Sequence, residues 1–130
     1  MTPELLIEEA KKAMEKAYAP YSGYKVGAAL LGADGRVYTG CNIENAAFSP
    51  TICAERTAFA KAVSEGCQAF TAIAVCGGKD GKITGLFPPC GVCRQVMREF
   101  CREDFAVYLA DREGYQTRTL AQLLPDSFSL

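Results

Sequence analysis

The chain contains neither histidine nor tryptophan. Without histidine, neither a Ser-His-Asp triad nor a Cys-His nucleophile pair can be assembled. Any metal site must then draw on Cys, Asp or Glu. No apolar run approaches the roughly 20 residues of a membrane-spanning helix. The opening stretch, Met1 to Lys12, places acids early and lacks the apolar core of an export signal. The expectation is a cytosolic protein with no membrane partner. The 14 basic residues are scattered and the net charge is −1. A basic stripe for gripping a phosphate backbone is therefore missing, and nucleic acid is not an expected partner.

Cysteine, in contrast, is plentiful. Seven occur among 130 residues, an odd number that fits metal or thiol chemistry better than a disulfide framework. Apolar residues make up 49% and charged residues 22%, an ordinary globular balance with a slight apolar lean. The length suits one domain, 1–130, with a single core.

Hydrophobic spacing orders the chain. Thr2-Pro3-Glu4 caps a helix carried by Leu6, Ala10, Ala13, Met14 and Ala17, and Pro20 stops it. Strand-like runs from Tyr24 to Leu31 and from Arg36 to Cys41 flank Asp34-Gly35, a hairpin signal. Ser49-Pro50-Thr51 offers caps for a second helix reaching Gly66. Phe70 to Cys76 reads as a buried strand, and 77–81 as a loop. Pro88-Pro89 introduces a third helix from about Cys90 to Cys101. Phe105 to Leu109 and Tyr115 to Thr119 read as strands, with one helical turn at Leu120 to Leu124. This alternation predicts an α/β fold: a three-layer α-β-α arrangement around a mixed, roughly five-stranded sheet, with parallel crossovers and one antiparallel hairpin.

Two short motifs carry chemistry. Cys90 and Cys93 lie three apart at a predicted helix start, where both sulfurs can reach one ion and the helix dipole favours thiolates. That pair alone leaves zinc binding and thiol redox chemistry open. Cys53-Ala54-Glu55 stands at a second helix start. If the two N-termini meet, three thiolates converge, and three protein ligands with one open position is the pattern of a catalytic zinc. Glu55 is then placed to act as a general base without being a ligand.

With those residues the chain resembles the zinc cytidine deaminases, in their small, all-cysteine, homotetrameric form. Tyr18–Ser22, Val26–Leu30, Cys41–Ala46, Cys53–Ala58 and Pro89–Gln95 match that family in order. The resemblance implies one Zn²⁺ on Cys53, Cys90 and Cys93, and hydrolysis of cytidine and deoxycytidine to uridine and deoxyuridine with release of ammonia. It implies proton transfer by Glu55 and compensation by Arg56 for the charge of three thiolates. It implies ribose contacts from Asn42 and Glu44, with Glu44 on the 3′-hydroxyl. Tyr24 would flank the base, and the Ala54 backbone and the Pro89 carbonyl would read its edge. Phe48, where relatives often carry tyrosine, and Phe128 would reach a neighbouring subunit's site. The remaining cysteines, Cys41, Cys67, Cys76 and Cys101, read as small apolar residues; a fourth ligand at Cys41 would make the site structural. A blasticidin-type deaminase of the same fold is the nearest alternative, a structural zinc module a more distant one.

Overall fold

A computed structural model describes residues 1–130. Helix α1, Pro3–Met14, begins at Thr2, whose hydroxyl accepts from the Leu5 amide at 3.2 Å. Strands β1 (Tyr24–Gly32) and β2 (Val37–Cys41) form the expected hairpin. Its turn is tied by Asp34, which accepts from the Arg36 amide, while Gly35 adopts a φ of +85°. Then follow α2 (Ala54–Ser64), β3 (Phe70–Lys79), α3 (Gly91–Phe100), β4 (Ala106–Ala110), β5 (Tyr115–Thr119) and a short α4 (Leu120–Leu123).

The sheet runs β2-β1-β3-β4-β5. β1 is antiparallel to both β2 and β3, β3 and β4 are parallel, and β5 returns antiparallel. Being antiparallel to the same strand, β2 and β3 point the same way. The two helices that follow them, α2 and α3, therefore start from one edge of the sheet. That is the feature the site is built on.

The two faces of the sheet differ in side-chain size, as the period-2 alternation of a strand allows. Ala29, Ala72, Ala74 and Ala110 face α1, which buries Leu6, Ile7, Ala10 and Met14 among them. Leu30, Ile73, Val75, Val107 and Leu109 face α2 and α3 on the other side. There Phe59 of α2 joins Phe70, Phe100 and Phe105 at ring separations of 5.0 to 6.5 Å, locking the two helices together. The three-layer α-β-α expectation holds.

Three local differences from the sequence expectation have physical causes. α1 ends at Met14, short of Ala17 and Pro20, because Tyr18 is held in a bridge to Ile43. β3 does not stop at Cys76: Gly77, Gly78 and Lys79 pair with Val26, Lys25 and Tyr24, so the turn moves to Asp80-Gly81. Glycines that read as a loop are needed here for close approach, since a Cβ on Gly78 would overlap the Lys82 carbonyl oxygen. α2 begins later than Ser49-Pro50-Thr51, because Ile52 is held in a bridge to Ile43. Cys53 thus becomes the residue at the helix end.

Gly40 lets α2 sit directly on β2. A Cβ there would run into the Ala54 carbonyl oxygen and lie 2.5 Å from the Ala58 nitrogen, both backbone atoms with little room to yield. Gly40→Ala should destabilise the protein by about 1–3 kcal/mol, the usual cost of overpacking, measured by denaturant unfolding.

Candidate active site

Cys53 and Cys90 occupy the N-cap positions of α2 and α3, and neither makes a side-chain capping bond. N-caps usually carry Ser, Thr, Asp or Asn to satisfy the helix amides. Here the position is given to sulfur, which remains free to bind something else. Cys93 lies one turn into α3, buried beneath them. The Cys53 and Cys90 sulfurs are 3.7 Å apart and those of Cys90 and Cys93 3.5 Å, with all three within 4.8 Å of one another. Sulfurs on a tetrahedral zinc, with bonds of about 2.3 Å, stand about 3.8 Å apart. The donor set fits that ion. Cys41 is not part of it: it borders a separate depression with Lys12, Lys16 and Lys61, so the cluster holds three cysteines and not four.

The protein alone already favours a thiolate here. Hydrogen bonding from Cys93, with further contributions from Arg56 and Cys90, brings Cys53 down to about 5 against the opposing effect of burial. The same shared proton, together with burial, drives Cys93 upward. Arg56 Nη2 lies 3.6 Å from the Cys53 sulfur, and its Nε is buried with no partner. Glu55, next to Cys53, is only 4% exposed. Burial is the main reason its carboxyl is raised to about 7, and the negative charge of Cys53 adds to it.

A cavity of about 270 Å³ opens beside the sulfurs, bordered by Cys53, Ala54, Glu55 and Cys90 on one side and by Asn42 and Glu44 on the other. Both of the latter are already engaged in holding the backbone. Asn42 accepts from the Val26 amide and donates to the Tyr24 carbonyl, each at 2.8 Å. Glu44 accepts from the Tyr21 and Ser22 amides at 3.0 and 3.1 Å and from the Ser22 hydroxyl. That hydroxyl is the chief reason its carboxyl lies below the usual range. They fasten β1 and the 18–23 turn to the cavity wall.

Other expected residues lie differently. Tyr24 does not border the cavity; its ring packs 5.9 Å from Phe87, which does. Pro89 is buried, and its carbonyl accepts from Arg94 Nε at 2.7 Å, while Pro88 and Cys90 on either side reach the cavity. Phe48 and Phe128 stand 91% and 67% exposed, apart from this chain's own cavity. Sequence reasoning missed Val26, Thr51, Ile52, Phe87 and Pro88 as wall residues. Only the position of Phe87 before Pro88-Pro89 could have flagged it.

A family model, the cytidine and deoxycytidylate deaminase zinc-binding region, matches residues 1–109. The chain belongs to this family. It is 54% identical to a cytidine deaminase of Sporosarcina psychrophila, covering 99% of this chain and 93% of the relative. A cytidine deaminase of Halalkalibacterium halodurans is 50% identical, over 99% and 96%. The crystal structure of the Burkholderia pseudomallei cytidine deaminase superposes with a TM-score of 0.90 at 47% identity, covering 98% of this chain and 100% of that one.

For a deaminase of this family, Cys53, Cys90 and Cys93 are the zinc ligands. Three thiolates and one Zn²⁺ sum to a negative centre, and Arg56 is the cation in contact with it. Arg56→Gln should keep the metal yet lower kcat by about tenfold, the scale on which residues behind metal ligands act. Metal analysis beside steady-state turnover checks both halves, and an unchanged kcat would reject the role.

Proposed function

We propose that this chain is a zinc-dependent hydrolase that converts cytidine and deoxycytidine to uridine and deoxyuridine, releasing ammonia. The observation that carries this is a cluster of three sulfurs, two of which, on Cys53 and Cys90, border a single cavity together with the buried carboxylate of Glu55. Relatives named as cytidine deaminases over nearly the whole chain support it.

Zinc, when bound, brings the pKa of a water molecule to about 7 and so supplies a nucleophile at neutral pH. The protein supplies the protons and the geometry. Glu55, poised near neutrality, takes the first proton that water gives up and passes it to ring N3; it then takes the remaining proton from the new C4 hydroxyl and delivers it to the departing amine, leaving a C4 carbonyl and ammonia. Burial keeps that carboxylate out of bulk solvent, so its proton goes to the substrate. The cavity wall opposite, with Asn42 and Glu44, receives the ribose. A carboxylate held by two amides and a hydroxyl is fixed in direction, which suits it to accept from the 3′-hydroxyl. Phe87 and Val26 provide apolar surface for the pyrimidine.

Residues 1–130 act as one domain, and the working form is a homotetramer. Phe48 and Phe128 stand in solvent, free of this chain's own cavity; in the tetramer each enters the site of a neighbouring copy. Seven unpaired cysteines and an all-thiolate centre suit the reducing cytosol, and turning cytidine into uridine suits a role in pyrimidine salvage.

Glu55→Gln should retain one zinc per chain and lose at least about 10²-fold in kcat on cytidine, followed by ultraviolet absorbance. Loss of the metal, or near-normal turnover, would remove Glu55 from its role. Sedimentation of the active protein should give four times the 14.0 kDa chain mass; a fully active monomer would overturn the shared-site reading.

A further inference from the structure

The last residues of the chain run back across the outer face of α3, held there by three of its side chains. Arg94 Nη1 donates to the Leu123 carbonyl at 2.6 Å, Arg98 Nε to the Ser127 hydroxyl at 3.0 Å, and Gln95 Nε2 to the Phe128 carbonyl at 3.3 Å. Of the three, Arg94 alone reaches in two directions. Its Nε also donates to the Pro89 carbonyl at 2.7 Å.

That second bond lands at a sensitive place. Pro89 is buried and immediately precedes Cys90. A peptide unit is planar, so fixing the direction of the Pro89 carbonyl fixes the plane that carries the Cys90 nitrogen. Cys90 has no side-chain capping bond to hold it. Apart from its sulfur contacts with Cys53 and Cys93, Cys90 is tied through its own carbonyl, which accepts from the Arg94 amide at 3.0 Å. Arg94 therefore grips the approach to Cys90 from both sides, its backbone behind the residue and its guanidinium in front. The far end of the guanidinium is anchored on Leu123, in the last turn of α4. A planar fork with fixed donor directions suits this two-ended contact, which a lysine ammonium cannot reproduce.

We propose that Arg94 is a positioning residue for the zinc site: it holds the Pro89–Cys90 peptide so that the Cys90 sulfur stays aimed at the metal, using the C-terminal turn as its anchor. This rests on Cys53, Cys90 and Cys93 being the zinc ligands. Without the clamp, the buried Pro89 carbonyl loses its partner. The peptide then turns to find another, and the most exposed of the three cysteines turns with it.

The test is the rate at which zinc passes from the loaded protein to a chromogenic chelator, well below the unfolding temperature of each variant. Arg94→Met should release zinc about tenfold faster or more. Arg94→Lys, able to satisfy one carbonyl at a time, should fall between the two. Arg98→Met, which frees the tail at Ser127 but leaves Pro89 held, should release at the unsubstituted rate. Release from Arg94→Met at the unsubstituted rate overturns the proposal, as does equal acceleration by Arg98→Met, which would assign the effect to the tail. If Arg94→Met does not fold, Arg94→Lys decides, and a rate equal to the unsubstituted one is again fatal. An unsubstituted protein that binds no zinc would sink the ligand assignment itself, a separate failure.

Discussion

Two helix N-termini aimed at one point are the constraint on which the rest depends. Each brings a partial positive charge and a set of unpaired amides, and each gives its cap position to a cysteine. Such convergence needs two strands that run in the same direction and deliver their following helices to the same face. The hairpin partner β1, inserted between β2 and β3, provides it: both neighbours are antiparallel to β1, so both end at the same sheet edge. Ligand sites in α/β sheets commonly lie beyond the carboxyl ends of strands. Here the start of β1, the segment after β2 and the segment after β3 all gather at that edge. Asn42, Glu44 and Phe87 therefore reach one cavity from distant parts of the chain.

Close packing converts this topology into distances. Gly40 allows α2 to rest on β2 backbone to backbone, and Phe59 ties α2 to Phe100 at the far end of α3. The sulfur separations are thus set by helix placement and not by flexible side chains. A preformed donor cluster loses little freedom when an ion arrives, which is how rigid elements support metal sites.

Much of this was legible in the sequence because it follows from local chemistry. Apolar spacing located α1 and the strands, Asp34-Gly35 located the hairpin, and Cys53, Cys90 and Cys93 announced the metal cluster. The parts that were not legible depend on partners far away in the chain. Gly77-Gly78 reads as a loop by composition, yet becomes strand because β1 pairs with it. Phe87 sits in an irregular segment with no periodicity to mark it as a wall residue. The side chain of Arg94 finds its carbonyl partners five and 29 residues away, and no local pattern encodes the second. Asn42 and Glu44 were identified through family likeness, but their attachment to the Val26, Tyr21 and Ser22 amides emerges only in three dimensions. Residues expected to touch substrate also turn out to hold the walls in place.

The absence of histidine has a consequence that runs through the whole centre. A site made of three thiolates is more negative than one with an imidazole ligand, which brings no charge of its own. Two features of this chain answer that excess in opposite ways. Arg56 reduces it, standing beside the Cys53 sulfur with one guanidinium nitrogen buried and unpaired, a costly arrangement unless the sulfur carries charge. Glu55 exploits it: negative charge at Cys53 adds to the effect of burial and lifts the carboxyl toward neutrality. A carboxylic acid that would be fully ionised in neutral water becomes able both to take and to give a proton near neutral pH. Burial comes first in that lift, the Cys53 charge adds a smaller share, and the positive charge of Arg56 works against it.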